Sequence, residues 1–161
     1  MEEENNLSDL KRKYSKFKKK YNFVDFYEMN KLFDIEDVDS ETDFLVRKIR
    51  RVISDRIAGY LRFIEIILNP ANAPMFFFKF IKKLDEKDKK QLTEVYEILG
   101  KFELEIIGLD LNYNEEKEAN FIKRVYKLFS EDVSKKLLDV VKKMGNNSKE
   151  KKESEDKSYF G

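Results

Sequence analysis

Three groups of residues carry enough charge or ring surface to do chemistry. The first is a run of seven cations within ten residues: Lys11, Arg12, Lys13, Lys16, Lys18, Lys19 and Lys20, interleaved with Tyr14, Phe17 and Tyr21. Cations neutralise phosphates and rings stack on bases, so this pattern points to nucleic acid. The same helix also has the make-up of one that lies on an anionic membrane. The plainer reading is a solvated face, with an apolar seam packed inward and the cations balancing the acids that follow. Arginine, the better bidentate reader of base edges, is scarce in the run, which argues against sequence-specific contacts. The second group is arginine-rich: five of the seven arginines fall between Arg47 and Arg62. Arg47 and Arg51 stand one turn apart and suit an anion, or else salt bridges to Asp55 and the acidic stretch before them. The third group is Phe76, Phe77, Phe78 and Phe80, flanked by Met75 and Ile81. These surround a helix on every side. Either the helix is central and wrapped by the others, or it exposes a patch of the kind that marks an interface.

Other chemistry is excluded by what is missing. The chain has no cysteine and no histidine. This removes disulfides, thiol nucleophiles and Cys-type zinc sites, together with the usual general base near neutral pH. Glu94 and Glu97, a turn apart, resemble half of the paired acids with which all-α nucleotide pyrophosphohydrolases hold magnesium. The companion pair is absent, because Glu131 is followed at the third position by Ser134. Di-iron helical bundles need Glu-x-x-His and therefore a histidine. Asp110-x-Asn112-x-Asn114 begins like a calcium loop, but Glu115 stands where glycine is required and Phe121 where the final glutamate belongs. No catalytic constellation, cofactor site or metal site is expected.

Helices must position the three groups. Leu7, Leu10, Tyr14, Phe17, Tyr21 and Val24 are spaced 3-4-3-4-3, the seam of an amphipathic or coiled-coil-like helix. Beyond Val24 the spacing is lost, and a short second helix or a turn near Asn22 follows. After the acidic stretch, Ser40 with Asp43 forms a capping-box pattern, predicting a helix from about Glu41 to Leu68. Its inner face is Leu45, Ile49, Val52, Ile53, Ile57, Tyr60, Leu61, Ile64 and Ile67. Asn69 to Pro74 contains both prolines and reads as a loop. A Phe-rich helix then runs from Met75 to Leu84, and Asp85 caps a long one. The stretch from Phe102 to Tyr113 alternates like a strand but has no partner strand, so it is read as helix to about Gly108 and then loop. Asn114 caps the last helical region, where Ser130 caps a second piece after a kink and Gly145-Asn146 ends it.

At 161 residues, 40% charged, 14% aromatic and with net charge +1, the chain suits one ion-rich helical domain. The expected fold is all-α, a single-domain bundle of about five helices, orthogonal or mixed rather than a simple four-helix array. Residues 1–6 are expected to be a flexible N-terminus, 7–146 the helical domain with its basic arm at 7–33, and 147–161 a disordered charged tail. The opening Met1-Glu2-Glu3-Glu4 is not a signal peptide, and no apolar run approaches membrane-span length, so the expected location is cytoplasmic. The expected function is non-enzymatic: a helical interaction or scaffold protein that binds a protein partner or itself through Phe76, Phe77, Phe78 and Phe80. The alternative is an accessory protein that holds nucleic acid with the basic helix, Arg47 and Arg51. Contact with a membrane surface is not expected.

Overall fold

A computed structural model describes residues 1–145. It consists of α1 (Glu2–Tyr21), α2 (Phe26–Phe33), α3 (Leu45–Leu68), α4 (Phe78–Ile81), α5 (Glu86–Leu111) and α6 (Glu115–Leu128). A π-helical turn, Phe129–Val133, carries α6 into a further helical stretch at 134–145. The described residues contain no strand, and none of their helices is long and apolar enough to cross a membrane. The expected disordered tail lies outside the described residues.

The central element is α3, which packs against both α5 and α6. Its apolar residues recur at helical spacing, and Ile49, Ile53, Ile57 and Ile64 are fully buried. They meet Leu92, Val95 and Leu99 of α5 and Phe121, Ile122 and Val125 of α6 in one continuous core. Each such side chain contributes roughly 1.5–3 kcal/mol through burial. The predicted inner face of α3 is correct, with Val52, Tyr60 and Leu61 partly buried at its margins.

The basic helix is no detached arm. Leu10 and Tyr14 are buried, and the Tyr14 hydroxyl donates to the Val24 carbonyl at 2.7 Å. Helix α1 starts at Glu2, so residues 2–6, expected to be flexible, are its first turns. It ends where Asn22 turns left-handed at φ 58°, a conformation asparagine tolerates better than most residues. Asp25 then caps α2 by accepting from the Glu28 amide.

Four predicted boundaries are corrected. Helix α3 begins at Leu45 rather than Glu41 because Ser40 is otherwise engaged: its amide donates to Asn6 Oδ1 at 2.8 Å, and its carbonyl accepts from Lys13. Asn6 Nδ2 also donates to the Val38 carbonyl, so a single amide side chain clasps the connector, and Ile35 and Val38 are buried. The Phe-rich helix is only one α-turn long, preceded by two 3-10 turns, Pro70–Asn72 and Met75–Phe77. Helix α5 continues through Gly108 to Leu111. Ser130 caps nothing; its hydroxyl donates back to the Lys127 carbonyl while the backbone widens into the π turn. That turn has a packing cause. Val125, Phe129, Val133 and Leu137 are all buried at intervals of four, which would drift around a helix of 3.6 residues per turn. One wider turn brings the row back into register with the core.

Candidate functional site

The Phe-rich segment is divided between core and solvent. Phe77 and Phe80 pack partly buried against the core, and Ile81 and Leu84 are buried. Met75, Phe76 and Phe78 point outward at 88%, 62% and 37% exposure. Backbone bonds from Phe77 N to the Pro74 carbonyl (2.9 Å) and from Lys82 N to Phe78 (3.1 Å) hold the tight turns. Phe76 leans on Phe77 with ring centroids 4.6 Å apart. Lys79 and Lys83 stand over the Phe80 ring at 5.0 and 5.2 Å, and Lys83 also donates to the Met144 carbonyl. The segment is therefore pinned on one side and presents an aromatic and thioether surface on the other.

A second apolar surface lies at the far end of α5. Leu104, Ile107 and Leu111 follow one another at i, i+3 and i+7 and are exposed at 72%, 55% and 83%. Just past α5 in the chain, Tyr113 packs edge to face with Phe44, centroids 4.8 Å apart. The sequence reading missed this row because α5 is apolar on two sides here: Phe102, Ile106 and Leu109 face inward. Two overlapping helical rows look like alternation.

The structure separates the seven cations of α1. Arg12 pairs with Asp9, and Lys13 is bound to Asp9 and the Ser40 carbonyl. Lys20 pairs with Glu115 at 2.8 Å, and Lys11 sits over the Phe26 ring. The Arg12 guanidinium, then Lys13, holds the Asp9 carboxyl well below the usual carboxylate range. Lys20 and the Tyr21 hydroxyl lower Glu115 in the same way. Lys16, Lys18 and Lys19 are exposed and make no ion pair among the described residues.

The arginine cluster turns inward. Arg50 is wholly buried with Glu118, its Nε 2.5 Å from the carboxylate, and its terminal nitrogen lies 2.5 Å from Asp110. Arg47 donates to the carbonyls of Leu109 and Asp110 at the end of α5, stacks over Tyr113, and lies 3.2 Å from Glu118. Arg51 reaches Asp110 at 3.6 Å. Asp110 is depressed chiefly by Arg50, then by Arg51 and Arg47. These arginines join α3 to α5 and α6. Their partners are not Asp55 or the acidic connector, the partners expected from sequence; of the cluster only Arg56 reaches the connector, at Asp34.

No carboxylate centre emerges. Glu94 lies 3.9 Å from Lys136, and among the described residues no three acidic, histidine or cysteine side chains gather closely enough to hold a metal ion. The fold and its surfaces define an all-α protein with a charged exterior interrupted by discrete apolar faces. Compared with protein-family models, curated proteins and solved structures, the chain matches none.

Proposed function

We propose that this protein is a non-enzymatic interaction module, of scaffold type, that docks a protein partner through the Met75, Phe76 and Phe78 surface. The observation that carries this reading is the exposure of those three side chains on a backbone pinned by Phe77, Phe80 and Ile81. Aromatic residues and methionine are the side chains that interface cores favour, and a fixed backbone reduces the entropy lost on docking. Covering Phe76 or Met75 contributes up to roughly 1.5–3 kcal/mol each. The Leu104, Ile107 and Leu111 row supports the scaffold aspect, since it lies near the opposite end of a 26-residue helix from the Phe-rich segment. Phe77 and Phe80, expected in the same interface, serve as its base.

Nucleic acid is supported less well. Arg47 is already bonded to two carbonyls and Arg51 faces Asp110, which leaves Lys16, Lys18 and Lys19 as the cations of the predicted set with neither an ion pair nor a ring contact among the described residues.

The test replaces Phe76 with a photo-crosslinking phenylalanine analogue in two proteins, one of which also carries Met75→Ser and Phe78→Ser. One discrete, salt-insensitive cross-linked protein species, lost in the double variant at unchanged melting temperature, is expected. Cross-linking that is diffuse, or unchanged by the double substitution, overturns the reading.

A further inference from the structure

Helix α1 is charge-segregated along its length. Its first turn carries Glu2, Glu3 and Glu4, and its last carries Lys18, Lys19 and Lys20. Beside the acidic half runs the connector with Asp37, Asp39 and Glu41; together they line an open groove of about 1140 Å³. None of these six carboxylates is ion-paired among the described residues, whereas Asp9 in the same groove is neutralised by Arg12 and Lys13. On the outward face Arg12, Lys16 and Lys19 follow at i, i+4 and i+7, opposite the buried Leu10 and Tyr14. The surface is acidic at one end and basic at the other, over a span of roughly 26 Å between Glu2 and Lys19 at 1.5 Å per residue.

A nucleic acid lying along this helix would meet the carboxylates as soon as it passed the lysines. A partner that fits must carry both signs in reverse order, and a second copy of this chain laid antiparallel does. With a twofold axis level with residues 10 and 11, Lys19 of each copy comes level with Glu2 of the other. Lys16 then comes level with Asn5, alongside the acidic connector. Ser8 and Ser15 on the outward side are small enough to allow close approach. We infer that α1 is a self-association surface: two copies pair antiparallel through Lys16 and Lys19 of one and the acidic groove of the other. Exposed ion pairs are individually weak, so the dimer forms at low ionic strength and dissociates as salt shortens the screening length from about 30 Å at 0.01 M to about 3 Å at 1 M. This surface is independent of the Phe-rich segment.

The test is sedimentation equilibrium of the full chain across that salt range, with four proteins. The unaltered chain is expected to dimerise, with a dissociation constant rising at least about tenfold with salt. Lys16→Glu with Lys19→Glu reverses the charge at the basic end, and Glu2→Lys with Asp37→Lys and Glu41→Lys reverses three of the six carboxylates at the acidic end. Each alone is expected to be monomeric, and their mixture to restore a 1:1 dimer. A monomer at all salt concentrations, association that survives in either variant alone, or a mixture that stays monomeric overturns the inference. So does a 260 nm absorbance showing that the low-salt species is a nucleic-acid complex. Dimerisation that persists when Phe76 is changed to Ser keeps this result separate from the fate of the docking reading.

Discussion

Arg50 and Glu118 are 68 positions apart in the chain, and both are wholly removed from solvent. Burying two charges is costly, and their attraction offsets that cost only because the pair is close and its remaining donors are occupied: Arg50 also reaches Asp110 and Ser54. Removing one member leaves the other charged and dry. Glu118→Ala is therefore expected to lower unfolding stability by about 3–5 kcal/mol. The joint replacement of Arg50 by Met and Glu118 by Leu should recover much of that loss, because it removes both desolvated charges. Urea denaturation of the three proteins decides the matter, and a double variant no more stable than Glu118→Ala would show that the attraction within the pair outweighs the cost of burying it. The sequence makes Arg50 visible as one of a cluster but not its partner. Nothing local distinguishes Glu118 from Glu115 or Glu116 beside it; the contact exists only once α3 and α6 are packed together.

At the scale of elements, α5 is held at its start by an arrangement that titrates. The Asp85 side chain accepts from the Asp88 amide, and Asp88 answers to the Asp85 amide, closing a capping box. Lys143, from the far end of the chain, reaches both carboxylates at 3.0 and 2.6 Å. The Asp88 amide first, then Lys143, lowers the Asp85 pKa from 3.8 to about 2. A depressed carboxylate stabilises the fold above its unfolded pKa, and that contribution disappears as pH falls through the folded value. Asp85→Asn keeps an oxygen at the cap but loses the charge. The variant should be less stable than the parent at pH 6, with the gap closing between about pH 4 and pH 2; thermal melts across that range would show it. A gap independent of pH would assign the stabilisation to the hydrogen bond rather than the charge. This cap was legible in the sequence because its partners are three residues apart. The Ser40 cap was misread because Asn6 and Lys13, distant in sequence, take both its backbone groups. The Phe-rich helix was misread because residues apolar on every side give periodicity no phase to report. The row of α3, with one polar and one apolar side, was read correctly. The division of Phe76 and Phe78 from Phe77 and Phe80 belongs to packing, and the sequence left it open.

For the whole molecule the question is whether α1 folds with the rest or as an appendage. A single buried cluster runs from Leu10 and Tyr14 through α3, α5 and α6 to Met144. The clasp of Asn6 on Val38 and Ser40, and the bonds from Lys20 and Tyr21 to Glu115, tie α1 to the connector and to α6. An element sharing a core in this way cannot melt without exposing the apolar surface of its neighbours, so unfolding should be one cooperative transition. Leu10→Ala removes a fully buried side chain and is expected to cost about 2–5 kcal/mol. The whole transition should move down, by roughly 2–4 °C for each kcal/mol at this size. Lys16→Glu, on the outward face, should leave it within about 0.5 kcal/mol of the parent. Far-ultraviolet ellipticity reports all helices at once, and tyrosine near-ultraviolet ellipticity includes Tyr14 of α1, the one tyrosine wholly buried among the described residues. Coincident curves for the Leu10→Ala protein would mean that the basic helix is part of the domain and that its charged face is a fixed surface. An early near-ultraviolet loss ahead of the helical transition would make α1 a detachable segment, and the antiparallel pairing proposed for it would then depend on a helix that the monomer does not hold in place.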